Sequence, residues 1–230
     1  MLERRPANLS GGELRRAAVT KAIVRSASVR LLDEPLSALD APVRREIQRL
    51  LLDWHHKTPG TTIHVTHDGQ VAMGVADRIA VMESGKIIQF AEPAEIYRQP
   101  ASRHVASAIS TQPMNYLAAA LVDGKLGFEN EAIRSQVHHS LTDAKVDVGI
   151  RASTFEFDAS SSASQGGLAV TGRVQRVEQV DARRLVHLRC GQVTLVADAG
   201  TRPVNIDETL NLFVELNDLH LFDADTGIRV

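Results

Sequence analysis

Val29-Arg30-Leu31-Leu32-Asp33-Glu34-Pro35 is the stretch on which the fold class turns. A short run of branched aliphatics reads as a buried strand, and the proline ends it. Two adjacent carboxylates then stand at the carboxyl end of that strand. In a parallel sheet this end is the mouth where ligands bind. Arg30 interrupts the apolar run, and it is expected to face a solvent edge or to snorkel. Downstream, Ala41–His56 reads as a helix, with Val43, Ile47, Leu50, Leu51 and Trp54 on one stripe. Asp40 suits its N-cap, and Pro42 is tolerated in its first turn. Pro59-Gly60 breaks the chain before a strand at Thr61–Thr66, which ends in His67-Asp68. A short helix near Gln70–Ala76 follows. Then comes a hairpin, Ile79–Met82 and Lys86–Phe90, around Ser84-Gly85. Strand–helix–strand order predicts parallel pairing through a right-handed crossover. Upstream, Leu14–Val24 reads as a helix.

Composition bounds the answer. The chain has 230 residues, 26 basic and 28 acidic, for a formal charge of −2. That length allows one or two domains with a real core. The charge balance leaves no basic footprint, so no nucleic-acid partner is expected. No apolar run is long enough to span a bilayer. The single cysteine, Cys190, excludes an intrachain disulfide and any multi-cysteine metal site. Residues 111–230 change texture: short strands with Gly, Asp and Ser punctuation replace helical periodicity. The expected division is therefore α/β over 1–110 and all-β over 111–230, with a boundary near Ser110–Pro113. Residues 158–167 (DASSSASQGG) have the composition of a flexible loop.

Three elements carry chemistry. Ser10 followed by Glu13 is a capping box ahead of a helix, with Gly11 and Gly12 between them. Bare backbone N–H groups and a hydroxyl at a helix start make an anion site. Of the two carboxylates after the first strand, one can hold Mg²⁺ through water. The other can orient or deprotonate an attacking water. His67, also at a strand end, can donate a hydrogen bond to a phosphate oxygen. Taken singly, each has a bland reading: a capped helix, an acidic loop, a surface histidine. Their order is what argues for function. The pairs His55-His56 and His138-His139 read as surface residues, because adjacent helical side chains diverge. Arg15-Arg16 and Arg44-Arg45 read as solvated helix faces.

As a set, these residues resemble the ATPase subunits of ABC transporters. Leu9–Glu13 resembles the signature motif, Val29–Glu34 the Walker B strand with its glutamate, Ser37-Ala38-Leu39-Asp40 the D-loop, and His67 the switch histidine. Ala76–Met82 and Gln89–Pro93 resemble importers of sugars and related solutes. Val148–Arg151 and Leu219–Asp223 resemble the C-terminal TOBE domain. The implied fold is the C-terminal part of an α/β P-loop NTPase followed by an all-β, OB-like (TOBE) barrel. The resemblance implies a dimer of ATPase subunits sandwiching ATP and Mg²⁺. Ser10, Gly11, Gly12 and Glu13 would contact the γ-phosphate held mainly by the other subunit. Asp33 would bind Mg²⁺ through water, Glu34 would be the general base, His67 would sense the γ-phosphate, and Asp40 would couple the two sites. It further implies permease partners, an indirect link to a solute-binding protein, and a peripheral place on the cytoplasmic face of the membrane.

The family's phosphate loop, G-x-x-x-x-G-K-[ST], is not found in these residues. Gly85-Lys86 is followed by Ile87 and Gly124-Lys125 by Leu126, with Ala80 and Ala119 in place of the first glycine. The chain is therefore expected to be a C-terminal fragment with negligible ATP hydrolysis alone. Without the family's neighbouring strands, Leu31, Leu32, Ile63 and Val65 are expected to lose cover, leaving residues 1–110 partly molten. Two other readings stand beside this one. The chain could be a non-enzymatic regulatory or dimerisation module that binds a small ligand or a protein. It could also be an ABC-type ATPase of DNA maintenance, but the barrel-like tail and the lack of a long heptad segment speak against that.

Overall fold

A computed structural model describes residues 13, 17, 20–21, 27–37, 39–110, 112, 114–140, 143–157 and 166–230. The chain divides into two compact units. The first covers residues 1–79 and 91–93, the second 80–90 and 94–230. It is a mostly-strand α/β protein with a sheet-rich C-terminal region. No helix among the described residues is long and apolar enough to cross a membrane.

In the first unit, β1 (Val29–Asp33) and β2 (Thr61–Val65) pair in parallel, from Val29 opposite Thr61 to Asp33 opposite Val65. They are joined through α1 (Ala41–Lys57), and α2 (Gly69–Val75) follows β2. Alternation along a strand sends neighbouring side chains to opposite faces. Leu32 therefore packs with Leu36, Leu39, Leu51 and Val71, while Val43, Ile47, Trp54 and Val75 close round this core. Leu32 is buried, contrary to the expectation that it would lose cover. Leu31, Ile63 and Val65 do lie bare, 73%, 50% and 53% exposed, and Val29 joins them. On α1, Leu50 sits about one residue-step (100°) from Leu51 and is exposed.

Arg30 also departs from expectation, being buried rather than solvent-facing. It shares the inner face of β1 with Leu32. Its guanidinium lies 4.4 Å from the centre of the Trp54 ring, and Nη2 donates to the Pro59 carbonyl at 2.8 Å. Stacking on the indole face compensates a cation that the core would otherwise reject.

The second unit opens with the hairpin of β3 (Ile79–Glu83) and β4 (Lys86–Ala91). Ser84 and Gly85 both have positive φ, 48° and 77°, the backbone of a type I′ turn. Helices α3 (Pro93–Arg98) and α4 (Arg103–Ala108) follow, and Ser102 caps α4 by accepting from the Val105 N–H. Two antiparallel sheets then share one core. Four strands run in the order β14-β8-β5-β6: Leu219–Asp223, Ala144–Ile150, Asn115–Val122 and Lys125–Gly127. The other sheet runs β12-β11-β10-β13-β9. These are Val193–Asp198, Arg183–Cys190, Gly167–Val180, Thr209–Glu215 and Glu156–Phe157, with β7 (Ile133–Ser135) added on β10. Leu117, Val146, Val148 and Ile150 from the first sheet meet Leu168, Val186, Leu188 and Val214 from the second.

β10 changes partner along its length. Gly167–Arg173 pair with β13 and Arg173–Val180 with β11, across a bulge between Val174 and Arg176. At Gly172 the backbone passes so close to β11 that a Cβ would stand 2.5 Å from the Cys190 Sγ. Cys190 is fully buried, and burial pushes its thiol pKa up to about 11. Both the thiolate fraction and access are therefore suppressed. We expect no labelling of the native protein by iodoacetamide at mildly alkaline pH and complete labelling in denaturant, read by intact mass. Native labelling at a free-thiol rate would show that β11 opens readily.

Candidate active site

Two strand ends and one loop build the site in the first unit. Glu34 follows β1 directly, and its backbone turns into the left-handed region (φ 47°). That conformation is unfavourable for a side chain-bearing residue and is held here from both sides. The Glu34 N–H donates to the Val65 carbonyl at 3.0 Å. Its own carbonyl accepts from the Ser37 hydroxyl at 3.0 Å. The turn throws the carboxylate across to the end of β2. There a single oxygen, Oε1, accepts from the His67 backbone N–H at 3.0 Å and from His67 Nδ1 at 2.7 Å. A carboxylate only accepts, so Nδ1 carries the proton, and Nε2 is the imidazole's outward nitrogen. Glu34 is 29% and His67 81% exposed at the side chain, so the pair lies at an open mouth.

The loops on either side are tied together. Asp68 caps α2 by accepting from the Gln70 and Val71 N–H groups at 2.9 and 3.2 Å. Its other oxygen pairs with Arg44 Nη1 at 3.3 Å, while Arg44 Nη2 donates to the Leu39 carbonyl at 3.1 Å. One guanidinium thus links the residue before Asp40 to the residue after His67. Arg44 was expected on a solvated helix face; instead it is half-buried and bridges two site loops. The cue in the sequence was its place one turn into a helix that begins at a site loop. Next to this, the inner face of β2 carries His64. Burial holds its imidazole pKa below the ordinary value, although Glu34 nearby pulls the other way.

Asp33 is exposed at the end of β1, adjacent in sequence to Glu34. Among the described residues no group of three His, Cys, Asp or Glu side chains could hold a metal. One carboxylate is nevertheless a donor set that suits Mg²⁺, which keeps several waters and takes phosphate oxygens. Asp40 is the N-cap residue of α1 by position, but its side chain makes no capping hydrogen bond; Pro42 sits in the first turn as expected. Ser10, Gly11 and Gly12 lie outside the described residues. Glu13 is helical and half-buried.

The structure therefore brings together Glu34 and His67 on one carboxylate oxygen, with Asp33 beside them in the chain. Carboxylate, imidazole and a second carboxylate thus stand at the carboxyl ends of parallel strands, the end where open α/β sheets bind ligands. Sequence comparison finds relatives named as ATP-binding proteins. The chain is 37% identical over 226 residues to the sn-glycerol-3-phosphate import ATP-binding protein UgpC of Vibrio vulnificus, covering 96% of this chain and 60% of the relative. The protein of the same name in Escherichia coli is 38% identical over 236 residues, covering all of this chain and 65% of the relative. For Bordetella pertussis UgpC the values are 34% over 241 residues, all of this chain and 64% of the relative. No protein-family profile matches. Along essentially its whole length the chain is thus similar to import ATP-binding proteins of the UgpC kind. It spans 60–65% of the length of these relatives.

Proposed function

We propose that these residues are the γ-phosphate-facing part of an importer ATPase, and that the whole protein uses Mg-ATP to drive uptake of glycerol phosphate or a related solute. The observation that carries the reading is the Glu34–His67 pair, closed at 2.7 Å at the mouth of two parallel strands. Mg²⁺ bound with ATP neutralises charge developing on the phosphates. Asp33 would hold that ion through water. Glu34 takes the proton of the attacking water, and His67, in its imidazolium form, keeps the Glu34 carboxylate aimed through Nδ1–H while its outward Nε2–H donates to a phosphate oxygen. Ser10, Gly11, Gly12 and Glu13 reach the nucleotide of a second copy, and Asp40 lies at the junction between copies. Within the second unit, residues 111–230 form an OB-like TOBE regulatory domain. The assembly sits against permease subunits on the cytoplasmic face of a membrane, fed by a solute-binding protein.

The test is a chimera in which this chain replaces the matching residues of the Escherichia coli relative. With Mg-ATP the folded chimera is expected to release phosphate, and in cells lacking the native protein it is expected to restore glycerol-3-phosphate uptake. The 230-residue chain alone is expected to give no release above a protein-free blank. A folded chimera that binds ATP without hydrolysing it would overturn the assignment.

A further inference from the structure

The second unit holds a cavity of about 590 Å³ that nothing above uses. Its wall is made by the end of α3, the segment after β8, and the chain from Leu216 to Leu221 with Arg229. Three arginines line it: Arg98, Arg151 and Arg229. Asp218 is the one acidic side chain on the wall.

Arg151 is the anomaly. It is 5% exposed, yet its hydrogen bonds go to neutral oxygens: Nη1 to the Ser110 hydroxyl at 2.6 Å and Nη2 to the Tyr97 carbonyl at 2.8 Å. Its Cζ lies 3.8 Å from the centre of the Tyr97 ring, and Nε is buried with no partner. A buried cation without an opposing charge is expensive and is usually paired. Beside it, Arg229 Nη1 meets His220 Nδ1 at 3.2 Å. A guanidinium only donates, so Nδ1 is the acceptor and the imidazole is neutral. Burial, with Arg151 and Arg229 nearby, keeps it so, lowering its pKa to about 4. His220 therefore adds no charge to relieve or worsen the excess, and Nε2 carries the donor hydrogen.

We infer that this cavity is a binding site for a small organic anion, a phosphate monoester or polycarboxylate whose charged head meets the guanidinium groups. The positive excess selects the head, because paired Arg forks match planar carboxylate and phosphate edges. The size selects the body. Small-molecule sites run to roughly 300–1,000 Å³, and a bare inorganic oxyanion would leave most of this one unfilled. The Tyr97 ring and Leu216 offer an apolar wall for that body. The site lies wholly within one unit and is independent of the nucleotide chemistry at Glu34 and His67.

Isothermal titration of the full chain, without nucleotide, tests this with four probes: glucose 6-phosphate, citrate, inorganic phosphate and glucose. Saturable binding of glucose 6-phosphate or citrate is expected, weaker binding of inorganic phosphate, and none of glucose; which organic anion wins assigns the head group. Arg229→Gln is expected to weaken the organic anion about tenfold or more, the scale of one charged hydrogen bond. Arg98→Gln, at an exposed position, is expected to weaken it less, with the thermal midpoint unchanged. The inference falls if neither organic anion binds, if glucose or inorganic phosphate binds as tightly, or if both variants bind like the parent.

Discussion

Glu34→Gln in the chimera is expected to cut phosphate release about a hundredfold or more, the span that general-base catalysis contributes. The substitution is nearly isosteric. Glutamine Oε1 can still accept from the His67 N–H, so the left-handed turn at Glu34 and its bonds to Val65 and Ser37 persist. What disappears is the charge that opposes Nδ1 and the affinity for a proton from water. ATP binding is therefore expected to survive while turnover does not. His67→Ala is expected to be milder in this respect, because it removes one of two bonds to Oε1 and leaves the carboxylate. Phosphate release by Glu34→Gln above a tenth of the parental rate would show that another group takes the proton.

Asn115→Leu is expected to lower the stability of the second unit by about 3 kcal/mol, from one buried and two partly buried backbone groups left unsatisfied, at roughly 1–3 kcal/mol for a fully buried one. Asn115 sits in β5 but serves β12, the edge of the other sheet. Its Oδ1 accepts from the Val196 N–H at 2.7 Å, and its Nδ2 donates to the Val196 carbonyl at 2.9 Å and to Ile150 at 3.1 Å. The side-chain amide thus stands in for a neighbouring strand along an edge that would otherwise be open. Leucine fills a similar volume but offers no polar atom. The measurements are the urea midpoint by circular dichroism and the exchange rate of the Val196 amide. An unchanged Val196 exchange rate would show that water or another group replaces the asparagine.

The first unit was the more legible half. Local signals sufficed there: the Asp33-Glu34-Pro35 stop, the stripe on α1 and the Pro59-Gly60 break place β1, α1 and β2 within a residue or so of their observed limits. What could not be read was partnership across the fold. Arg30 looked solvent-bound because Trp54, which covers it, is distant in sequence. Arg44 looked like half of a surface pair because Asp68 lies 24 residues on. The Glu34–His67 contact was implied only by both residues following strands; the 2.7 Å closure depends on a left-handed glutamate that no propensity favours. In the tail, strand texture was visible but pairing was not, since Asn115 meets Val196 across 81 residues. Arg151 and His220 stood inside the motifs that suggested the tail's fold, and the sequence offered no reason to join them with Arg229 around one cavity.

The double allegiance of β10 bears on how this half of the protein comes apart. A strand that is seamed to β13 along one stretch and to β11 along the next cannot be peeled from either without loosening the other. The two seams of β10 should therefore open together, and backbone amides along both should exchange at similar rates.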